Sequence, residues 1–222
     1  MLYLYLKTAG EPSLRLTGDE HRYIFKVRRH KAGDTLYLRN LEDGLIHRYL
    51  VDSIDKKSAT LMLQESMAIE IKAAKKLHLG WCLIDPKNIE KVLPSLNEMG
   101  VEKITFIYCK RSQKSYKLDF KRLEKILLNS SQQSGRSQMM QLEMVEDLKT
   151  FISQYPESKM LNFSENNFVS QRIFDTIVIG CEGGFHEEEV ALFKAEDIVG
   201  FDTPLVLKSE SAACAVSSKT LL

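Results

Sequence analysis

The sequence holds no long apolar run. None of its stretches approaches the ~20 residues that a bilayer-spanning helix needs, so a membrane protein is not expected. It shows no excess of one charge, with 31 Lys and Arg against 30 Asp and Glu, which excludes a polyelectrolyte tail or a disordered segment. Cysteine is scarce and unpaired in pattern. Cys82, Cys109, Cys181 and Cys214 form no C-x-x-C, and their spacing suits neither a zinc site nor a disulfide framework. They read as four reduced thiols in a reducing compartment. The five histidines are scattered, with no H-E-x-x-H and no carboxylate cluster, so no metal is expected. The apolar start Met1 to Lys7 is short and lacks a charged lead and a cleavage site; a cytoplasmic location is expected rather than secretion. There is no internal repeat. What is present is ordinary: 222 residues, 44% apolar and 27% charged, enough for one or two globular domains.

The charges are unevenly distributed. Residues 15–31 hold six basic and two acidic residues, and residues 110–136 hold eight and two. These segments carry +4 and +6, leaving −9 for the rest of a chain whose net charge is +1. Such segregation suits a polyanion partner, although two solvated basic faces would give the same count.

The first 68 residues read as a small β module, a barrel or half-barrel. Strands are expected at 2–6, 34–39, 45–51 and 58–63. Glu42-Asp43-Gly44 supplies a hairpin turn, and a short helix starts at Gly18. After residue 72 strands and helices alternate. Strands are expected at 77–84, 104–109, 142–145, 160–163 and 176–180, with helices at 87–99, 119–133, 187–195 and 212–222. Residues 205–207 read as a further apolar strand end. Alternation of this kind predicts an α/β domain with a parallel sheet over 72–222. Pro94 falls inside the first of these helices, where proline costs ~3 kcal/mol.

Three constellations can carry chemistry. Gly180-Cys181-Glu182-Gly183-Gly184-Phe185 follows a buried apolar strand and opens a helix. Glycines there let a ligand meet the backbone. The pattern is neither G-x-G-x-x-G nor a P-loop, and Glu187, Glu188 and Glu189 disfavour a phosphate, so a neutral or cationic ligand fits better. The plainer reading is an ordinary β–α turn. Lys208-Ser209-Glu210-Ser211 places one base and one acid near the top of the sheet; equally, Ser209 caps the last helix and Glu210 sits in its first turn. Lys110-Arg111-Ser112 and Gln133-Ser134-Gly135-Arg136 are basic, polar loops suited to phosphate, or simply to water.

On these residues the chain resembles the RsmE-type ribosomal RNA methyltransferases, which methylate N3 of a uridine in small-subunit ribosomal RNA. The segment from Gly180 to Phe185 looks like their G-P-E-G-G-F, and Leu207 to Ala212 like their L-R-x-E-T-A. Lys110-Arg111-Ser112 and Gln133 to Arg136 match R-S and Q-S-G-R. Leu96 to Val101 resembles their E-L-G-V helix end. His21 with Val27-Arg28-Arg29 and Gly33-Asp34 resembles H-x-x-x-V-L-R-x-x-x-G-D. The six matches occur in family order.

The resemblance implies a PUA-like RNA-binding β-barrel over 1–68 and a SPOUT α/β domain with a C-terminal trefoil knot over 72–222. It implies S-adenosylmethionine as cofactor, 16S ribosomal RNA within the 30S subunit as partner, and a homodimer. The cofactor would lie against Leu161, Phe163, Gly180, Glu182, Gly183, Gly184, Leu205, Val206 and Leu207. Lys208 and Glu210 would be catalytic. Arg22, Arg28, Arg29, Lys110, Arg111, Ser112 and Arg136 would hold RNA, so Arg111→Ala and Arg136→Ala should spare cofactor binding. Three departures stand out: Cys181 replaces a proline, Lys208 an arginine, and Asp202-Thr203-Pro204-Leu205 stands at L-G-x-R. They motivate a rival expectation, a non-catalytic RNA-binding or assembly protein with a decayed cofactor site. A SPOUT enzyme acting on another RNA is a further alternative.

Overall fold

A computed structural model describes residues 2–168 and 174–222. They form two compact units: residues up to Lys72 together with Ser131–Gln138, and Ala73–Ser130 together with Met139–Leu222.

The first unit is a five-stranded mixed sheet. Its strands are β1 (Leu4–Tyr5), β2 (Ser13–Thr17), β3 (Thr35–Arg39), β4 (Ile46–Ile54) and β5 (Ser58–Met67), in the order β1-β3-β4-β5-β2. Only β1 and β3 pair in parallel. β2 has no strong sequence signal beyond its alternation of buried Leu14 and Leu16 with exposed neighbours, which is the period-2 pattern of a half-buried strand. The hairpin forms as expected: Asp43 accepts the Leu45 amide at 2.8 Å, and Gly44 takes φ +73°. After β2 the short helix α1 (Gly18–His21) runs into a π-helical turn, Arg22–Val27.

The second unit is built on a six-stranded sheet whose pairings are all parallel. Its strands are β6 (His78–Cys82), β7 (Lys103–Ile107), β8 (Gln141–Val145), β9 (Lys159–Leu161), β10 (Thr176–Ile179) and β11 (Ile198–Val199), in the order β11-β9-β10-β6-β7-β8. The chain lays β6, β7 and β8 outward in one direction, then crosses to build β9, β10 and β11 on the other side. Parallel sheets bind ligands at the carboxyl ends of strands near such a reversal.

Helix α2 (Pro86–Met99) shows why the elements hold. Asp85 accepts the Lys87 amide at 2.9 Å, Pro86 occupies the first turn, and Gly100 closes the helix at φ +102°. Pro94 does not break it. Burial of Ile89, Leu93 and Leu96 contributes roughly 1.5–3 kcal/mol each, which outweighs the ~3 kcal/mol of an interior proline. Helix α3 (Phe120–Ser134) ends before Gly135, at φ +80°. Helix α4 (Leu148–Gln154), not expected from the sequence, is capped by Asp147 and lays Phe151 on β6. There a Cβ at Gly80 would stand 2.5 Å from the Phe151 ring, so the strand requires glycine. Helices α5 (Glu187–Val190) and α6 (Ser209–Leu221) complete the unit. α5 is one turn long, not the nine residues expected.

Two expectations are overturned here. Residues 205–207 are not a strand: Leu205 and Val206 are 72% and 76% exposed. The cysteines are not four free thiols, because Cys82 and Cys109 form a disulfide with Cα atoms 5.6 Å apart. They follow from the adjacent parallel strands β6 and β7, whose carboxyl ends lie side by side. A 27-residue separation through a helix leaves no sign of this in the spacing. Cys181 and Cys214 are free.

Candidate functional site

The loops that leave β9, β10 and β11 surround a cavity of about 640 Å³. Leu161, Phe163, Gly180, Glu182, Gly183, Gly184, Leu205, Val206 and Leu207 all line it, so every residue expected around the cofactor is on one wall or another. Phe163, Leu205, Val206 and Leu207 are exposed apolar side chains around its mouth, and the first is 81% exposed. Exposed apolar side chains grouped at a cavity suit the binding of a ligand.

The β10 turn is built tightly. The Gly184 amide returns to the Cys181 carbonyl at 2.9 Å, and Gly184 takes φ +69°. A Cβ on Gly180 would meet the buried Phe185 ring at 3.2 Å. Cys181, in the place of the resembling family's proline, is buried, and burial pushes its thiol pKa up. The acids beyond the turn are committed. Glu189 accepts the His186 amide and the Lys110 amide, both at 2.8 Å, which ties the loop after β7 to the loop after β10. Lys110 pairs with Glu188 and holds that carboxyl below its usual range.

Several expected RNA contacts are therefore spent on the site itself. Lys110 is ion-paired. Arg111 lines the cavity and donates from Nη1 to the Gly183 carbonyl at 2.7 Å, so Arg111→Ala cannot be expected to spare ligand binding. Ser112 is buried, with its hydroxyl facing the Cys109 amide, and has no free surface for RNA. Arg22, Arg28 and Arg29 are exposed in the first unit. Arg136 is half-buried there, and its carbonyl accepts the Tyr3 hydroxyl at 2.9 Å.

The two expected catalytic residues separate. Lys208 lines the cavity and is exposed; among the described residues its ammonium forms no ion pair. Glu210 does not line the cavity. Among the described residues one of its carboxylate oxygens is buried without a hydrogen-bond partner, and its charge adds to burial in raising the Cys214 thiol pKa.

Ser209 does not cap α6 through its side chain; Lys208 holds the cap position. Its hydroxyl donates to the Gly180 carbonyl and accepts the Trp81 indole N–H at 2.8 Å, joining α6, β10 and β6 behind the cavity. Nothing in the sequence marked Trp81. Gly200 was missed too. A Cβ there would lie 2.7 Å from the Ser164 carbonyl, because the loops after β9 and β11 run against each other. Among the described residues no side-chain cluster could hold a metal ion.

Comparisons with known proteins agree with this arrangement. The family model of an RNA methyltransferase domain matches residues 72–220, and that of an RNA methyltransferase PUA domain matches residues 16–63. Two curated relatives are named ribosomal RNA small subunit methyltransferase E, from two strains of Helicobacter pylori. They are 39% and 40% identical over 98% of this chain and 98% of theirs. The solved structure of ribosomal RNA small subunit methyltransferase E from Neisseria gonorrhoeae, bound to S-adenosyl methionine, superimposes with a TM-score of 0.79. It covers 98% of this chain and 95% of that one at 16% identity, a likeness of fold.

Proposed function

The chain belongs to the RNA methyltransferase family, and from that premise we propose that it methylates 16S ribosomal RNA with S-adenosylmethionine. The target is N3 of a uridine, met within the 30S subunit by a cytoplasmic homodimer. The observation that carries the reading is the cavity at the ends of β9, β10 and β11, with its open glycine backbone and exposed apolar rim.

The residues present fit the cofactor. Leu205, Val206 and Leu207 offer apolar cover for a flat adenine. Gly183 and Gly184 let it meet the backbone, and Glu182 offers a carboxylate that suits a cationic centre. When bound, the cofactor supplies a methyl group on a sulfonium. The rest falls to the protein. Holding the acceptor nitrogen in line with that methyl group supplies several kcal/mol. N3 must lose its proton, which passes to solvent, and the exposed Lys208 ammonium at the cavity can stabilise the negative charge left on the uracil oxygens. The uridine must present its pairing edge, so it enters unpaired or flipped. Glu210, away from the cavity wall, acts on structure rather than on the proton. Arg22, Arg28, Arg29 and Arg136 hold phosphates, with Arg111 bracing the cofactor loop.

A C-terminal trefoil knot is part of the same proposal; α6 returns to the end of β10, where the Ser209 hydroxyl donates to the Gly180 carbonyl. The departures at 202–205 do not favour a decayed site. Thr203 accepts the Leu205 amide at 3.2 Å, and Leu205 stays on the cavity wall.

Titration calorimetry with S-adenosylmethionine tests the site. Gly183→Val places a branched side chain between cavity and Arg111, whose Cβ lies 3.4 Å from a Cβ built at Gly183. Affinity should fall by about 100-fold, worth roughly 2.7 kcal/mol, with the melting temperature held. Wild-type affinity in the folded variant would remove the β10 turn from the site. Mass mapping of 16S RNA from cells lacking the gene tests the reaction; unchanged methylation of uridine N3 would defeat it.

A further inference from the structure

We propose that Tyr23 and Arg28 form a stacking platform for an unpaired nucleobase of the RNA, a role that rests on the RNA-methylating reading above. The platform starts from an unusual piece of backbone. Helix α1 widens into a π-helical turn over Arg22–Val27, in which the Arg28 amide reaches the Tyr23 carbonyl at 2.9 Å. π-helical turns are rare and cluster at functional sites. The next residue, Arg29, takes φ +61°, a left-handed conformation that costs a side chain other than glycine free energy. Two anchors hold the segment down. His21 is buried with Nε2 3.1 Å from the Asp55 carbonyl, and Ile24 is buried in the sheet's core.

The widened turn places Tyr23 and Val27 on the outside, 43% and 62% exposed. Tyr23 does not hang free. Arg28 donates from Nε to its hydroxyl at 2.9 Å, and its guanidinium carbon lies 5.2 Å from the ring centroid. A cation over a ring face is mutually stabilising, so the pair is held in place before any ligand arrives. Arg22, Lys26 and Arg29 stand exposed around it, and among the described residues none of them forms an ion pair. The opposing charges on the segment are Asp19 and Glu20, in the first turn of α1.

A fixed π surface ringed by cations suits a polyanion that also offers flat apolar faces. Single-stranded RNA has both, since its unstacked bases lie on aromatic rings or guanidinium planes. A duplex keeps its bases stacked on each other and can use only the cations.

The test uses the full chain and a single-stranded oligoribonucleotide carrying 2-aminopurine, whose fluorescence drops on stacking. Wild type should quench it. Tyr23→Ala should lose the quenching and roughly 5- to 150-fold in affinity, the scale of one base–aromatic stack. Tyr23→Phe should keep both, because the ring is retained. Binding to a duplex of the same sequence, and to S-adenosylmethionine, should be the same in all three. Wild-type quenching and affinity in Tyr23→Ala would overturn the platform, as would equal losses in Tyr23→Phe and Tyr23→Ala. Should wild type bind neither RNA, the methylation reading itself fails, a result distinct from loss of the platform alone.

Discussion

The two ends of the parallel sheet contrast. At the carboxyl ends of β9, β10 and β11, apolar side chains face outward, the Gly183 and Gly184 backbone lines a cavity and the exposed Lys208 ammonium forms no ion pair among the described residues. At the amino ends of β6, β7 and β10, polar groups are spent on one another. His78 is buried with Nε2 2.8 Å from the Thr105 hydroxyl and the Thr176 hydroxyl near its Nδ1. Its ring packs edge-on against Tyr155, and Lys103 joins Tyr155 to Glu143. Both ends carry histidine, lysine and acids, so composition does not separate them. What does is whether the groups are satisfied. A closed polar network stabilises, while unspent groups beside an apolar rim mark the place where a ligand completes the set.

The largest test of this contrast is a pH titration of stability. Burial, and then the Lys103 ammonium, push the His78 pKa down to about 4 from 6.5. Above pH 6.5 the imidazole is neutral in both folded and unfolded chains. Below it the unfolded chain takes up a proton that the folded chain refuses. Stability should therefore fall between pH 6.5 and about 4, by on the order of 3 kcal/mol, in denaturant melts at a series of pH values. His78→Gln, which cannot titrate, should lose that part of the slope; an identical slope would show that the closed end is not protonation-sensitive.

A smaller effect is expected behind the cavity. Ser209→Ala leaves the Trp81 N–H and the Gly180 carbonyl without partners and should cost about 2 kcal/mol. Unlike a change at His78, it should also weaken S-adenosylmethionine binding, because Gly180 belongs to the cavity. Destabilisation with unaltered affinity would make Ser209 part of the closed network instead.

The smallest concerns Glu210. With one oxygen already unpartnered, Glu210→Gln should change stability by less than ~1 kcal/mol. Single-turnover methylation of 30S subunits should proceed near the wild-type rate. A drop of about 100-fold with both ligands still bound, the scale of general-base loss, would return Glu210 to the chemistry.

Much of this was legible in one dimension. The glycine turn from Gly180 to Phe185 stood out as a candidate ligand loop, although an ordinary β–α turn carries the same signal, and it lies on the cavity wall. Helix α2 announced itself by periodicity, its cap and Gly100. Strand β2 carries little signal beyond the alternation of Leu14 and Leu16, and helix α4 was too short to stand out, since seven residues of helix depend on packing such as Phe151 on Gly80. Leu205 to Leu207 misread as a strand because an apolar run gives the same signal whether it enters a core or rims a cavity. Ser112 and Arg111 looked like surface cations and hydroxyls because composition cannot say which way a loop turns.

By itself, then, the sequence determined most of the element types, the alternation that makes the sheet parallel, and the turn where backbone is left open, all of which depend on residues near one another in the chain. Tertiary structure alone decided the rest. It brought Cys82 to Cys109, Trp81 to Ser209 and Arg111 to Gly183, and it put Lys208 on the cavity while leaving Glu210 off it. Those pairings join residues 27 to 128 positions apart, and only the crossing of strands in a sheet fixes which of them meet.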